Sequence, residues 1–166
     1  MNRLRAVLFA VPLAGLALVG CGVVDRVDEA ARVGDRVLTN EQVQAVANSP
    51  VAGGPLDGTV AQGDLARRIV TLWIRDAALA DEDWFATIDA AQVRADLEAQ
   101  GGEAFITSDA FTQQLLVDNG IVLQAVNRQL ISEEEALALV AAAEVEVDAR
   151  YGRWDPTSYE VVALAG

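Results

Sequence analysis

The stretch Asp64-Leu-Ala-Arg-Arg-Ile-Val-Thr-Leu-Trp-Ile-Arg-Asp-Ala-Ala-Leu-Ala80 decides the fold class. Leu65, Ile69, Leu72, Trp73 and Ala77 recur at steps of three and four residues, while Arg67, Arg68 and Arg75 fall elsewhere. That spacing predicts an amphipathic helix with one stripe turned to a core. Asp64 and Arg68 stand acid-first at i,i+4, a pair worth roughly 0.2–0.5 kcal/mol. Upstream, Ser49-Pro50, Gly53-Gly54-Pro55 and Asp57-Gly58 crowd the segment 48–63 with breakers. A mobile loop is expected there, placed to act as a lid. Before it, Thr39 with Gln42 three residues on forms a capping box, predicting a short helix from Asn40 to about Ala47. Ala31 to Leu38 reads as a short strand in which Gly34-Asp35 makes a turn or bulge.

Downstream the helical period persists. Asp81 to Phe85 ends the long helix, and Asp89 with Gln92 opens another that runs to Gln100 before Gly101-Gly102, burying Val93 and Leu97. Phe105, Phe111, Leu115 and Leu116 belong to a helix over roughly 108–118, closed by Asn119-Gly120 as a left-handed cap. From Val122 to Ala143, Leu123, Val126, Leu130, Leu137 and Val140 lie close to a heptad seam, with a break or kink where Ser132 and Glu135 form a capping box. The period then changes to two: Val145 and Val147 alternate with acids, and Tyr159 to Leu164 reads as a further strand. The expected fold is mainly α with a small β-sheet formed by the two chain ends.

Composition narrows the function. The chain has 166 residues with 12 Arg, 25 acids, no Lys, no His and one Cys. Catalysis by a Ser-His-Asp triad, a Schiff-base lysine, a His-bound metal or a phosphate-binding lysine is therefore excluded. A net charge of -13 is repelled by phosphate backbones, so no nucleic-acid partner is expected. No cofactor and no metal are expected either. Asp81-Glu82-Asp83 and Glu133-Glu134-Glu135 lack the alternating oxygen ligands, Gly and distant Glu of a calcium loop, and read as solvated helix ends.

The N-terminus predicts the compartment. Arg3 and Arg5 precede fifteen uncharged residues, Ala6 to Gly20, a secretory length short of the roughly 20 apolar residues a spanning helix needs. Leu18-Val19-Gly20-Cys21 resembles the bacterial lipobox, in which signal peptidase cuts before a lipid-modified Cys. The resemblance implies a signal peptide over 1–20, cleavage between Gly20 and Cys21, lipid attachment at Cys21 and a spacer over 21–30. The mature chain then carries 10 Arg against 25 acids, a net of -15, and is held on the extracytoplasmic face of the cell membrane.

The segment Val33-Gly-Asp-Arg-Val-Leu-Thr39, the Gly-Gly break, the long helix and the closing Arg150-Tyr151-Gly152-Arg153-Trp154-Asp155-Pro156 together resemble the SurA N-terminal-like lipoproteins of actinobacterial type. These are related to the chaperone module of SurA and the PrsA foldases. The resemblance covers most of residues 31–162 and implies a SurA N-terminal-like helical domain over 31–166. A parvulin domain of about 90–100 residues does not fit beside it. The implied function is a non-catalytic extracytoplasmic chaperone or folding accessory that binds unfolded or partly folded secreted polypeptides.

A holdase needs exposed apolar surface, and Trp84, Phe85, Phe105 and Trp154 are the candidates for client binding, although core packing is the commoner fate of large aromatics. Arg150, Tyr151, Gly152, Trp154, Asp155 and Pro156 read as a structural lock, with Gly152 free to take positive φ. A structural or adaptor lipoprotein with one specific envelope partner is the alternative. An enzyme built on carboxylates alone is the remote third, since eight aromatics in the mature chain make no sugar cleft.

Overall fold

A computed structural model describes residues 28–51 and 62–164, as a mainly helical body of five α-helices with two small antiparallel sheets. The signal segment, Cys21 and the central part of the breaker-rich loop lie outside the described residues.

Strand β1 (Glu29–Val33) turns at Gly34-Asp35 into β2 (Arg36–Thr39). The expected single strand is thus a hairpin, because Gly34 takes φ +54 and reverses the chain. Strand β1 also starts inside the expected spacer, and Ala30 is fully buried. Strand β3 (Val145–Val147) adds to the other edge of β1, with Ala31 opposite Val147 and Val33 opposite Val145. The two chain ends do form a sheet, in the order β2-β1-β3.

Helix α1 (Asn40–Asn48) starts on the predicted capping box: the Gln42 amide donates to Thr39 Oγ1 at 3.2 Å and the Thr39 amide to Gln42 Oε1 at 2.8 Å. Helix α2 (Gln62–Leu79) touches α1, α4, α5, β1, β2 and β5, and buries Ile69, Val70, Ile74 and Ala77. Asp64 ion-pairs with Arg67 rather than Arg68, using the other near neighbour a helix offers. After a single 3₁₀ turn at Phe85–Thr87, α3 (Ala90–Ile106) is capped by Asp89 and kinks at Gly102, φ +53.

Helix α4 (Ala110–Asn127) runs straight through Asn119-Gly120, against the expected stop. Gly120 is there for contact: a Cβ on it would lie 2.6 Å from Val93 Cγ1, so its bare backbone lets α3 and α4 close. The stop comes at Gln129, φ +58, where the Leu130 amide donates to Ala125 O and the Gln129 amide to Val126 O, both at 3.0 Å. That is the Schellman arrangement on a residue other than glycine. Helix α5 (Glu133–Ala142) begins on the Ser132–Glu135 capping box, so the chain breaks near 132 as expected. The break also undoes the heptad seam. Ile121, Ala125, Ala136 and Val140 are buried, while Leu123 and Leu130 are exposed.

The last strand does not join the first sheet. Strand β4 (Arg153–Asp155), which the sequence did not reveal, pairs with β5 (Glu160–Val162) as a separate hairpin. The Val161 amide donates to Thr71 Oγ1 at 2.9 Å and Arg75 Nε to Tyr159 O at 3.0 Å, which docks this hairpin on α2. Leading into it, the Tyr151 hydroxyl donates to Asn40 Oδ1 at 2.8 Å, Arg150 Nε reaches Asp148 at 3.1 Å, and Asp155 accepts from the Thr157 amide just beyond Pro156.

Two apolar cores result. One lies under the first sheet, around Leu38, Val43, Val70, Ile74 and Tyr151; the other lies between α3, α4 and α5, around Phe105, Val117, Ile121 and Val140. Ala78 and Trp154 pack against both.

Two glycines in left-handed space separate strain from crowding. At Gly152, φ +130, a Cβ would sit 2.1 Å from Val162 O; at Gly34, φ +54, it would meet nothing within 4 Å. Gly34→Ala is expected to cost about 1 kcal/mol of unfolding free energy. Gly152→Ala is expected to cost more, about 3 kcal/mol, because the Val162 backbone must move as well. Urea unfolding of the two variants checks the order, and equal losses would remove the structural role assigned to the close approach at Gly152.

Candidate functional site

The helices leave one apolar depression with an unusual wall. Helix α2 contributes Leu72, Arg75, Asp76 and Leu79, α4 contributes Val122, Leu123 and Val126, and α5 contributes Glu133 and Leu137 to a groove of about 340 Å³. Leu123 is 57% exposed although it sits in a helix whose other apolar residues pack inward. An exposed leucine at the edge of a groove lined by half-buried apolar side chains marks a surface that can take an apolar ligand. The groove exists because α5, restarted by Ser132, leans against α2 and leaves the outer side of α4 uncovered.

Asp76 is the polar exception within it. It is only 4% exposed, a carboxylate carried into the interior on the buried stripe of α2. Asn119 Nδ2 donates to its Oδ1 at a long 3.5 Å, and its Oδ2 has no hydrogen-bond partner. Burial pushes its pKa up to about 8; Asp118 nearby adds to the rise, and the Asn119 bond and the Arg75 charge oppose it. Asp76 is therefore mostly the neutral acid at pH 7. Burial also raises the pKa of Asp118, on the adjacent turn of α4, against the pull of Arg36. The two cations nearest Asp76 are engaged elsewhere: Arg75 with Tyr159 O, and Arg36 with Asp81 at 2.7 Å.

The four aromatic candidates are not gathered here. Phe105 is 1% exposed and belongs to the second core, so it offers nothing to a client, whereas its neighbour Ile106 at the end of α3 is exposed. Trp84 and Phe85 stack as a tilted pair, centroids 5.8 Å apart, half-buried against the same core. Trp154 is half-buried on β4 between the two cores, and its indole Nε1, like that of Trp84, is buried without a partner. None of the four lines the groove.

The residues that do line it, Leu123 and Asp76 above all, escaped the sequence reading. The signal for Asp76 was present: it stands seven residues after Ile69 and three after Trp73, on the stripe that must be buried. Leu123 carried no such signal, since its apolar spacing reads as core until the turn of α5 is known. Among the described residues no cluster of His, Cys, Asp or Glu could hold a metal ion, and no helix is long and apolar enough to cross a membrane.

The raised pKa has a sign. The folded state holds a proton on Asp76 that the unfolded chain releases near 3.8, so this group's contribution is complete below pH 4 and is lost as pH rises toward 8. That is the reverse of an ion-paired carboxylate. Asp76→Asn is expected to remove this slope, so that the variant gains on the order of 3 kcal/mol over the parent between pH 5 and pH 8. Urea unfolding of both chains at the two pH values measures it, and parallel losses would show that Asp76 is ionised in the folded chain at both. No protein-family model, curated protein or solved structure matches this chain, and the reading of the site rests on its geometry.

Proposed function

We propose that the chain is a lipid-anchored, extracytoplasmic folding accessory without catalytic activity, which holds apolar segments of unfolded secreted polypeptides in the groove between α2, α4 and α5. The observation that carries the reading is the exposed Leu123 set in an apolar groove on an otherwise strongly acidic molecule. An apolar surface of this size binds weakly and without sequence demands, as a holdase requires. The net charge keeps a loaded complex dispersed.

The other supports come from the sequence. The Leu18-Val19-Gly20-Cys21 lipobox places the anchor at Cys21. Since β1 begins at Glu29, the tether between them spans at most about 29 Å even when fully extended. The domain therefore works close to the membrane, where exported chains emerge. The likeness to SurA N-terminal-like lipoproteins adds a helical body closed by strands from both chain ends. The lock residues Arg150 to Pro156 shape that body and stand outside the binding surface.

Two measurements test the proposal. The chain lacking its first 21 residues is expected to suppress light scattering by two unrelated reduced secreted proteins at equimolar ratio. Leu123→Asp is expected to abolish suppression at unchanged helicity, because Leu123 is already in water. No suppression at several-fold excess, or an unimpaired Leu123→Asp, would overturn the reading. Separately, Cys21→Ser in the full chain is expected to move the protein from the membrane fraction to the soluble fraction, and retention in the membrane would remove the lipid anchor.

A further inference from the structure

Asp76 Oδ2 is an acceptor with no donor, in the wall of an apolar groove. Arg75 on α2 itself and Asp118 and Asn119 on α4 act on this carboxyl, Glu133 at the start of α5 shares the groove lining with it, and Arg36 on β2 lines a second depression on which Asp76 borders. Both arginines are committed, to Tyr159 O and to Asp81, and Asn119 satisfies only the other oxygen. The remaining neighbours, Asp118 and Glu133, are acids. Of the three glutamates in the first turn of α5, Glu133 lines the same groove. The site thus holds an apolar wall and a carboxyl oxygen without a donor; Arg75, the cation in its lining, is bonded through Nε to Tyr159 O and gives that oxygen no hydrogen bond.

A lysine side chain matches those features, since its apolar stem lies along apolar surface and ends in a charge. An arginine does the same with a planar head. We infer that the groove selects apolar polypeptide segments that carry one basic side chain, whose charged end seats against Asp76. This inference rests on the groove being the client site. When the cation seats, the Asp76 carboxyl loses its proton to the buffer and becomes the carboxylate of a buried ion pair; the O–H bond is the one bond broken. The high pKa of the empty site makes that proton release measurable at neutral pH. It also sets the direction of the pH dependence, because ionising Asp76 opposes binding less as pH rises toward 8.

The probe is a pair of short Leu- and Ala-rich peptides identical but for one central position, Lys in one and norleucine in the other. They are titrated against the chain lacking its first 21 residues by fluorescence anisotropy, and by calorimetry in buffers of different ionisation heat. The Lys peptide is expected to bind about tenfold more tightly at pH 8, with an advantage that shrinks at pH 6 and with release of close to one proton per peptide at pH 7. Asp76→Asn is expected to abolish both the preference and the release while still binding the norleucine peptide. Glu133→Gln is expected to leave the release intact. Equal binding of the two peptides to the unaltered chain without proton release would overturn this inference and leave the holdase reading standing. Failure of either peptide to bind would overturn both. The comparison on the unaltered chain decides even if Asp76→Asn were to misfold.

Discussion

Everything in this fold depends on α2 being buried from two sides at once. A surface helix hides one stripe, but α2 sits under the β2-β1-β3 sheet and α1 on one side and against α4 and α5 on the other. Its fully enclosed residues, Val70 and Ile74, therefore have neighbours all round. In that position polar residues of the helix become connectors. Thr71 accepts from β5, Arg75 donates to the turn before β5, and Asp76 receives Asn119 from α4. The C-terminal hairpin is held to the body largely through this polar edge. The two cores share α2, and share Ala78 and Trp154 as packing partners, so neither is complete without the other.

Close approach of backbones is the second constraint. Gly120 allows α3 against α4, and Gly152 allows the chain to pass beside Val162 before β4. Neither position tolerates a Cβ, yet only Gly152 has a left-handed backbone. At the end of α4 the roles invert. Gln129 takes the left-handed conformation that a glycine takes at lower cost, and two amide donations to the last turn hold it there. The Asn-Gly pair that looks like a stop is a contact surface, and the true stop carries no glycine.

What was legible in the sequence is what is decided locally. The Thr39–Gln42 and Ser132–Glu135 caps are short-range hydrogen-bond geometries, and both stand where their residues predict. Asp89 caps α3 as expected, although the Gln92 side chain turns to Asp96 and does not close the box. The mainly helical class and the pairing of β1 with β3 follow from periods of 3.6 and 2 read over a few residues. What failed was decided by distant contacts: the helix through Gly120 needs Val93, the exposure of Leu123 needs the direction of α5, and β4 needs β5 to be a strand at all. The candidate site was the least legible part because it is a gap between three helices, defined by what does not pack there.

Asp76 is where the local rules of this fold are broken. A residue of similar size and no charge would pack the α2–α4 contact at lower cost, and a buried acid with one oxygen unpartnered weakens the domain at neutral pH. Elsewhere Thr71 answers a strand amide and the Tyr151 hydroxyl answers Asn40, while Arg32 Nε and the indole nitrogens of Trp84 and Trp154 are also buried without a partner. A carboxyl with one oxygen unpartnered, in the wall of a groove that it shares with Arg75, is a local defect in the fold. Such defects collect where a structure is prepared for something not yet bound, because the ligand supplies what the free protein lacks. On the proposed reading the missing element is a donor at the end of an apolar stem, and a lipid-tethered domain close to emerging chains would meet such side chains continually.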